Sequence, residues 1–300
     1  MTAAAPRFAF AYAAETLLGE VFATSGGCLS PREPAPEGMQ WEISIRATSV
    51  ETGVASRLDP DFNTDELYVE FSPAWWDGFL GFLSGMPYTD AFFTVCLREA
   101  TGDYPEPAAE LTMHYATHGL GRPGIEAGPG VGFHTFDLSL DGNGRPADVL
   151  ALVADPSVAT RFVAAMAARF PVTFGSILDG EPSYSWTGWD RACGVMMHDS
   201  LAQSRDYLRG YAWITYVPGS LLVEIGGVSA ASASGVFHSV RELPGWLVEL
   251  QATEAPAGYG LRQVRSVHEF LEPLLAPNEP RPPYRADRMC FIPQAAHLWE

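Results

Sequence analysis

The segment FHSVRELPGWLVELQ, residues 237–251, carries the clearest fold signal in the sequence. Two runs of strand-forming residues, 237–241 and 246–251, flank Pro244-Gly245, and such a pair between strands favours a tight turn. The segment therefore predicts a β-hairpin and antiparallel pairing. Further along, LRQVRSVHEFLEPLL at 261–275 has apolar residues at helical spacing and predicts an amphipathic helix.

Strands and helices are interspersed along the rest of the chain. Alternating or apolar runs predict strands at 41–46, 91–98 and 133–140, residues 111–118 suit a strand or a short helix, and Asp155-Pro156 opens a clear helix. Residues 173–193 look like an aromatic-rich loop. This pattern predicts an α+β fold with mixed or antiparallel sheets and packed helices. Each half has strands before one strong helix, which also allows two similar halves.

The length of 300 residues suits one large domain or two of about 150 residues. Residues 99–108 are polar and rich in proline, as linkers often are. They predict an N-terminal α+β region at 1–105 and a C-terminal α+β region at 106–300, with a single domain as the alternative.

The charge balance narrows the classes of partner. All 18 cationic residues are arginine, against 36 acidic residues, and the formal net charge is −18. A nucleic-acid binder needs a cationic cluster to neutralise phosphates, and an anionic membrane would repel this chain. We therefore expect neither partner. The charge favours rapid encounter with a basic protein, although it also simply promotes solubility.

The cysteines and the apolar runs predict a cytoplasmic location. Cys28, Cys96, Cys193 and Cys290 are scattered and form no CxxC pair. The sequence shows no signal-peptide pattern, and no apolar run reaches the roughly 18 residues of a membrane helix. Free thiols in a reducing compartment are the simplest interpretation.

No motif predicts a cofactor, a metal or a catalytic residue. His114 and His118 would share one face of a helix, but on a strand they would lie about 13 Å apart, too far to bind one ion. The glycines at 128, 130 and 132 precede a strand-like segment instead of the helix that a dinucleotide site requires. No G-x-S-x-G elbow is present.

Two surface features are candidate contacts for a protein partner. The acidic run at 59–66 suits a solvated face or a docking patch, and tryptophan in a glycine-containing loop such as WTGWD is often exposed and is common in binding hot spots. The predicted contacts are Asp59, Asp61, Asp65, Glu66, Trp186, Trp189 and Asp190.

Residues 145–277 resemble a known family. The order is the helix DPSVATRFVAAMAARFP, the strand GYAWITY at 210–216, a Gly226-Gly227 pair, the hairpin and the closing helix. This order resembles the immunity proteins of bacterial polymorphic-toxin and type VI secretion systems. The resemblance implies a cytoplasmic antitoxin that binds and blocks a cognate toxin, often a nuclease, and it implies no catalytic residues.

Two alternatives remain open at this stage. One is an enzyme whose site is assembled from distant residues around His114, His118 and His134. The other is a structural or scaffold protein, which should self-associate.

Overall fold

The computed structural model describes residues 6–13, 37–49, 55–58, 69–70, 88–99, 109–118, 133–141, 157–179, 187–278 and 280. The chain divides into two compact units. The first unit comprises Met1–Arg7, Ala14–Thr117 and His134–Met166, and the second comprises Phe8–Ala13, His118–Phe133 and Ala167–Glu300. The predicted boundary near residue 105 stays a prediction.

The described elements begin with seven strands and one helix. They are β1 (Pro6–Ala13), β2 (Met39–Ser49), β3 (Ala55–Leu58), β4 (Val69–Glu70), β5 (Tyr88–Glu99), β6 (Ala109–His118), β7 (Phe133–Asp141) and α1 (Ser157–Ala167). In the first unit the strand order is β7-β6-β5-β2-β3, and β4 also pairs with β2. The β2–β3, β2–β4, β2–β5 and β5–β6 pairs are antiparallel. This unit is therefore built around an antiparallel sheet.

The second unit contains the remaining elements. They are β8 (Val172–Asp179), α2 (Gly188–Cys193), α3 (Met197–Gln203), β9 (Ile214–Pro218), α4 (Gly219–Leu222), α5 (Gly227–Ala233), β10 (Ser239–Leu243), β11 (Leu247–Gln251) and α6 (Leu261–Leu271). Single 3-10 turns cover Val223–Ile225, Pro244–Trp246, Pro256–Gly258 and Glu272–Leu274. Most of β1 also belongs here, and the strand order is β10-β11-β9-β8-β1.

The core of the second unit lies between this sheet and α6. Helix α6 buries Val264, Val267, His268 and Leu271, which follow the i, i+3, i+4, i+7 spacing of an amphipathic helix. Fully burying an aliphatic side chain of this size contributes roughly 1.5–3 kcal/mol. The chain after α6 is tied back by the Leu208 amide, which donates to the carbonyl of Leu274 (2.7 Å).

The predicted α+β class with antiparallel sheets is confirmed. The hairpin at 237–251 is β10–β11, which pairs Leu243 with Leu247. The helices predicted after Asp155-Pro156 and at 261–275 are α1 and α6, and 111–118 lies in strand β6. None of the helices in the described ranges combines the length and apolar character that a membrane-spanning helix requires.

The prediction of a loop at 173–193 is wrong. This stretch contains most of β8 and all of α2. Residues 172–177 are all buried, including Thr173 and Ser176. A strand covered on both faces has no apolar–polar alternation, and for that reason its sequence gives no strand signal.

Candidate functional site

The residues predicted to contact a partner fall in different parts of the molecule. Asp59, Asp61, Asp65, Glu66 and Trp186 lie outside the described residues. Trp189 and Asp190 lie in α2, where their exposed fractions are 7% and 2%. The expectation of an exposed loop is therefore wrong for these two residues, because α2 packs them into the core. Their role as partner contacts stays a prediction.

Helix α2 begins with a capping box that fixes Asp190. The Thr187 hydroxyl oxygen accepts a hydrogen bond from the Asp190 amide (3.0 Å), and the Asp190 carboxylate accepts one from the Thr187 amide (3.2 Å). Gly194 ends the helix in the left-handed conformation, at φ +66°. The carboxylate of Asp190 is thus held at the first turn of a short helix.

A buried ion pair joins α2 to the chain before β9. Arg209 donates to one carboxylate oxygen of Asp190 through Nη2 (2.9 Å) and to Ser200 through Nε (2.8 Å). Ser200 donates to the other carboxylate oxygen (2.5 Å), and the Thr187 hydroxyl donates to the Arg209 carbonyl (2.6 Å). We call Thr187, Asp190, Ser200 and Arg209 the buried brace. Its polar groups bond to one another, so the brace holds α2, α3 and residue 209 together.

An aromatic cluster packs beside the brace. The His268 ring lies 5.5 Å from the ring of Trp189 and 5.5 Å from that of Tyr211, measured between centroids. The three rings come from α2, the segment before β9 and α6. The cluster thereby connects the brace to the closing helix.

Burial shifts the pKa values of two side chains in this cluster. Desolvation lowers the pKa of His268, while the nearby carboxylates of Glu272 and Glu269 raise it by less. Burial also raises the pKa of Tyr211 far above its usual value. Burial therefore disfavours the charged form of each of these two rings.

The three histidines of the enzyme alternative lie on strands. His114 and His118 are on β6, and His134 is on the neighbouring β7. Four residues along a strand span about 13 Å, which is the backbone separation expected between His114 and His118. In the described ranges, no group of three or more His, Cys, Asp or Glu side chains is placed to hold a metal.

The tip of the β10–β11 hairpin presents an exposed tryptophan. Trp246 is 64% exposed and has a left-handed backbone, with φ +58°. Its indole lies over Gly219, where an added Cβ would be 2.6 Å from Cδ1 and 2.8 Å from Cε2. The preceding Gly245 (φ +70°) approaches the Ala167 carbonyl so closely that a side chain there would collide with it. The tip is therefore held at two points, where the indole packs on Gly219 and where Gly245 packs on the Ala167 carbonyl.

Apolar and acidic groups accompany this tryptophan. Val223 is 61% exposed and follows Gly219 by one helical turn, which places it on the same side of that helical segment. Glu224 and Glu242 are exposed, and within the described part of the chain neither forms a salt bridge. We call Trp246 and Val223, together with Glu242 four residues before Trp246 and Glu224 next to Val223 in the chain, the hairpin-tip patch.

The sequence prediction placed Trp246 at the start of a strand and not in the turn. A signal for the turn was present at Pro244. Two-residue hairpin loops need φ above zero at their first central residue, and proline fixes φ near −65°. Pro244 therefore forces a longer loop, and the observed pairing of Leu243 with Leu247 leaves three residues in it. Trp246 is the third of them.

Comparison with known proteins identifies a likeness in fold. No family model matches the chain, and no curated protein matches it. Among solved structures, the Pseudomonas aeruginosa T6SS protein PA0821 is similar, with a TM-score of 0.50 and 13% identity. The match covers 98% of this chain and 82% of that one. At this identity the two proteins share a fold across almost the whole of this chain.

Proposed function

We propose that this protein is an immunity protein, an antitoxin that binds a cognate bacterial toxin and blocks it by covering its active surface. The observation that carries the proposal is the formal net charge of −18 in a chain without lysine. The fold likeness to a T6SS protein adds support, because the C-terminal half resembles immunity proteins of such systems.

The charge supports a basic partner in two ways. A toxin that acts on nucleic acid needs a cationic groove, and carboxylates can occupy that groove and exclude the substrate. Opposite charges also accelerate encounter, which suits a protein that must capture a toxin before it acts. Blocking by occlusion requires no catalytic residue in the antitoxin.

The acidic run at 59–66 is proposed to steer this encounter, with Trp186 as a further contact, whereas Asp190 is buried in the brace and offers a partner no free carboxylate oxygen. The double variant Asp59→Lys/Asp61→Lys should slow association and flatten its dependence on salt. A matched control is Asp206→Lys/Glu254→Lys, which makes the same charge change at two exposed positions of the second unit. Equal association rates for the two variants would remove the acidic run from the proposal.

The direct test is co-expression with the product of the adjacent gene. We expect this protein to restore growth to cells that the gene product otherwise arrests, and to co-purify with it in a 1:1 ratio. Growth arrest that persists at full expression of this protein, without co-purification, would contradict the proposed function for that pair.

A further inference from the structure

The geometry points to the hairpin-tip patch as the hot spot of the interface, with Trp246 inserted into an apolar pocket on a basic protein surface. This inference rests on the proposed function and specifies where the contact lies. The patch combines a large exposed indole, an adjacent exposed Val223 and two exposed carboxylates. Binding hot spots are enriched in tryptophan, whose side chain is large and rigid.

The backbone at Trp246 favours a different residue type. A left-handed conformation costs an L residue roughly 1–2 kcal/mol, and glycine or asparagine adopts it more easily. Burial of the Trp246 side chain offsets little of this conformational cost, since 64% of its surface stays exposed. Strained positions of this kind are concentrated at functional sites. The fold of the hairpin therefore does not account for tryptophan at this position.

The indole is also pre-positioned. It lies directly over Gly219, the first residue of α4. The adjacent Gly245 packs against the Ala167 carbonyl. A side chain that is already ordered loses less conformational entropy on binding. The indole at the tip is therefore already in a fixed position before a partner binds.

Charge indicates which kind of partner binds the hairpin-tip patch. Glu242 precedes Trp246 by four residues and Glu224 follows Val223, and both are exposed. Arg241, beside Glu242 in the strand, is paired with Glu249 (2.7 Å). A second copy of this chain would carry the same charge of −18 and be repelled, as would an anionic membrane. A protein with an apolar pocket surrounded by Arg or Lys can bury the indole and pair with the carboxylates.

The test is the affinity of purified full-length variants for the purified product of the adjacent gene, measured by calorimetry. Trp246→Gly suits the backbone and should weaken binding at least about 30-fold, the effect of a hot spot of about 2 kcal/mol. Gly219→Ala should displace the indole and weaken binding by roughly 3- to 10-fold, since it removes only the pre-positioning. Leu261→Ala removes another exposed apolar side chain and should change affinity by less than about threefold.

The outcomes separate this inference from the proposed function. If the unaltered protein binds and Trp246→Gly binds as tightly as Leu261→Ala, the inference fails and the proposed function stands. If the unaltered protein does not bind, both fail. A concentration-dependent dimer that Trp246→Gly abolishes would make a second copy the occupant and would overturn the inference.

Discussion

Trp189 and Trp246 belong to the same unit and have opposite environments. Trp189 is 7% exposed and contacts His268 beside the buried brace, whereas Trp246 is 64% exposed at a hairpin tip. Trp189 has the sequence setting of a surface loop, and Trp246 has that of a strand. The comparison shows that exposure of a tryptophan depends on which elements pack over it. Local sequence alone does not determine this.

The difference also separates stability from binding. Trp189 and the brace lie where several elements meet, so their loss affects folding. Trp246 lies where few atoms cover it, so its loss should affect association much more than folding. Variants in the two regions test whether stability and binding are separated in this way.

The largest effect is expected at Trp189. Trp189→Ala removes a buried indole from the aromatic cluster and should lower the free energy of unfolding by about 3–5 kcal/mol. Trp246→Ala is the matched control and should lower it by less than about 1 kcal/mol, because the side chain is mostly exposed. Chemical denaturation measures both, and equal losses would contradict the comparison.

A loss of similar order is expected from the brace. Arg209→Ala leaves the Asp190 carboxylate buried without its cation and should cost about 3–5 kcal/mol in unfolding free energy. Arg205→Ala changes an exposed arginine close by in the sequence and should stay within about 0.5 kcal/mol. Similar denaturation midpoints for the two variants would show that the brace contributes nothing specific.

The anchoring of the hairpin tip is tested at Gly245. Gly245→Ala combines a left-handed backbone with a collision against the Ala167 carbonyl and should destabilise by about 2–4 kcal/mol. Gly235→Ala is a matched control, because its φ is also +70° and an added Cβ there would meet nothing within 4 Å. Thermal unfolding should place Gly245→Ala clearly below Gly235→Ala; coincident curves would mean that the tip is not anchored.

The smallest effect is a pH dependence from His268. Burial lowers the pKa of His268 in the folded protein below its unfolded value of about 6.5, so the unfolded chain binds the proton more readily. The contribution is complete above pH 6.5 and declines as the pH falls toward the folded pKa, with a slope of at most about 1.4 kcal/mol per pH unit. Denaturation between pH 7 and 5 should show this slope and lose it in His268→Gln. The exposed His238 provides the control, and an unchanged slope in His268→Gln would assign it to other groups.

Local signals in the sequence predicted much of the fold. The hairpin at 237–251 and the helices α1 and α6 each follow from a turn pair, a cap or a periodicity contained within one segment. No local signal predicted strand β8 or helix α2. Strand β8 is covered on both faces, and α2 has six residues, too few to show a helical period.

The candidate site was predicted less well, for a physical reason. Burial of Trp189 requires α6 to bring His268 against it, a contact between residues 79 positions apart in the sequence. Nothing local to WTGWD contains that information. Exposure of Trp246 was accessible in principle, since Pro244 rules out a two-residue loop.

Amide hydrogen exchange, measured on this protein alone and bound to the product of the adjacent gene, distinguishes binding through the hairpin tip from binding through α2 and the residues around it. We expect new protection at 219–224 and 242–247 on binding, with residues 187–213 already protected in the free protein and little changed. New protection confined to 187–213, with the hairpin tip exchanging as in the free protein, would contradict it.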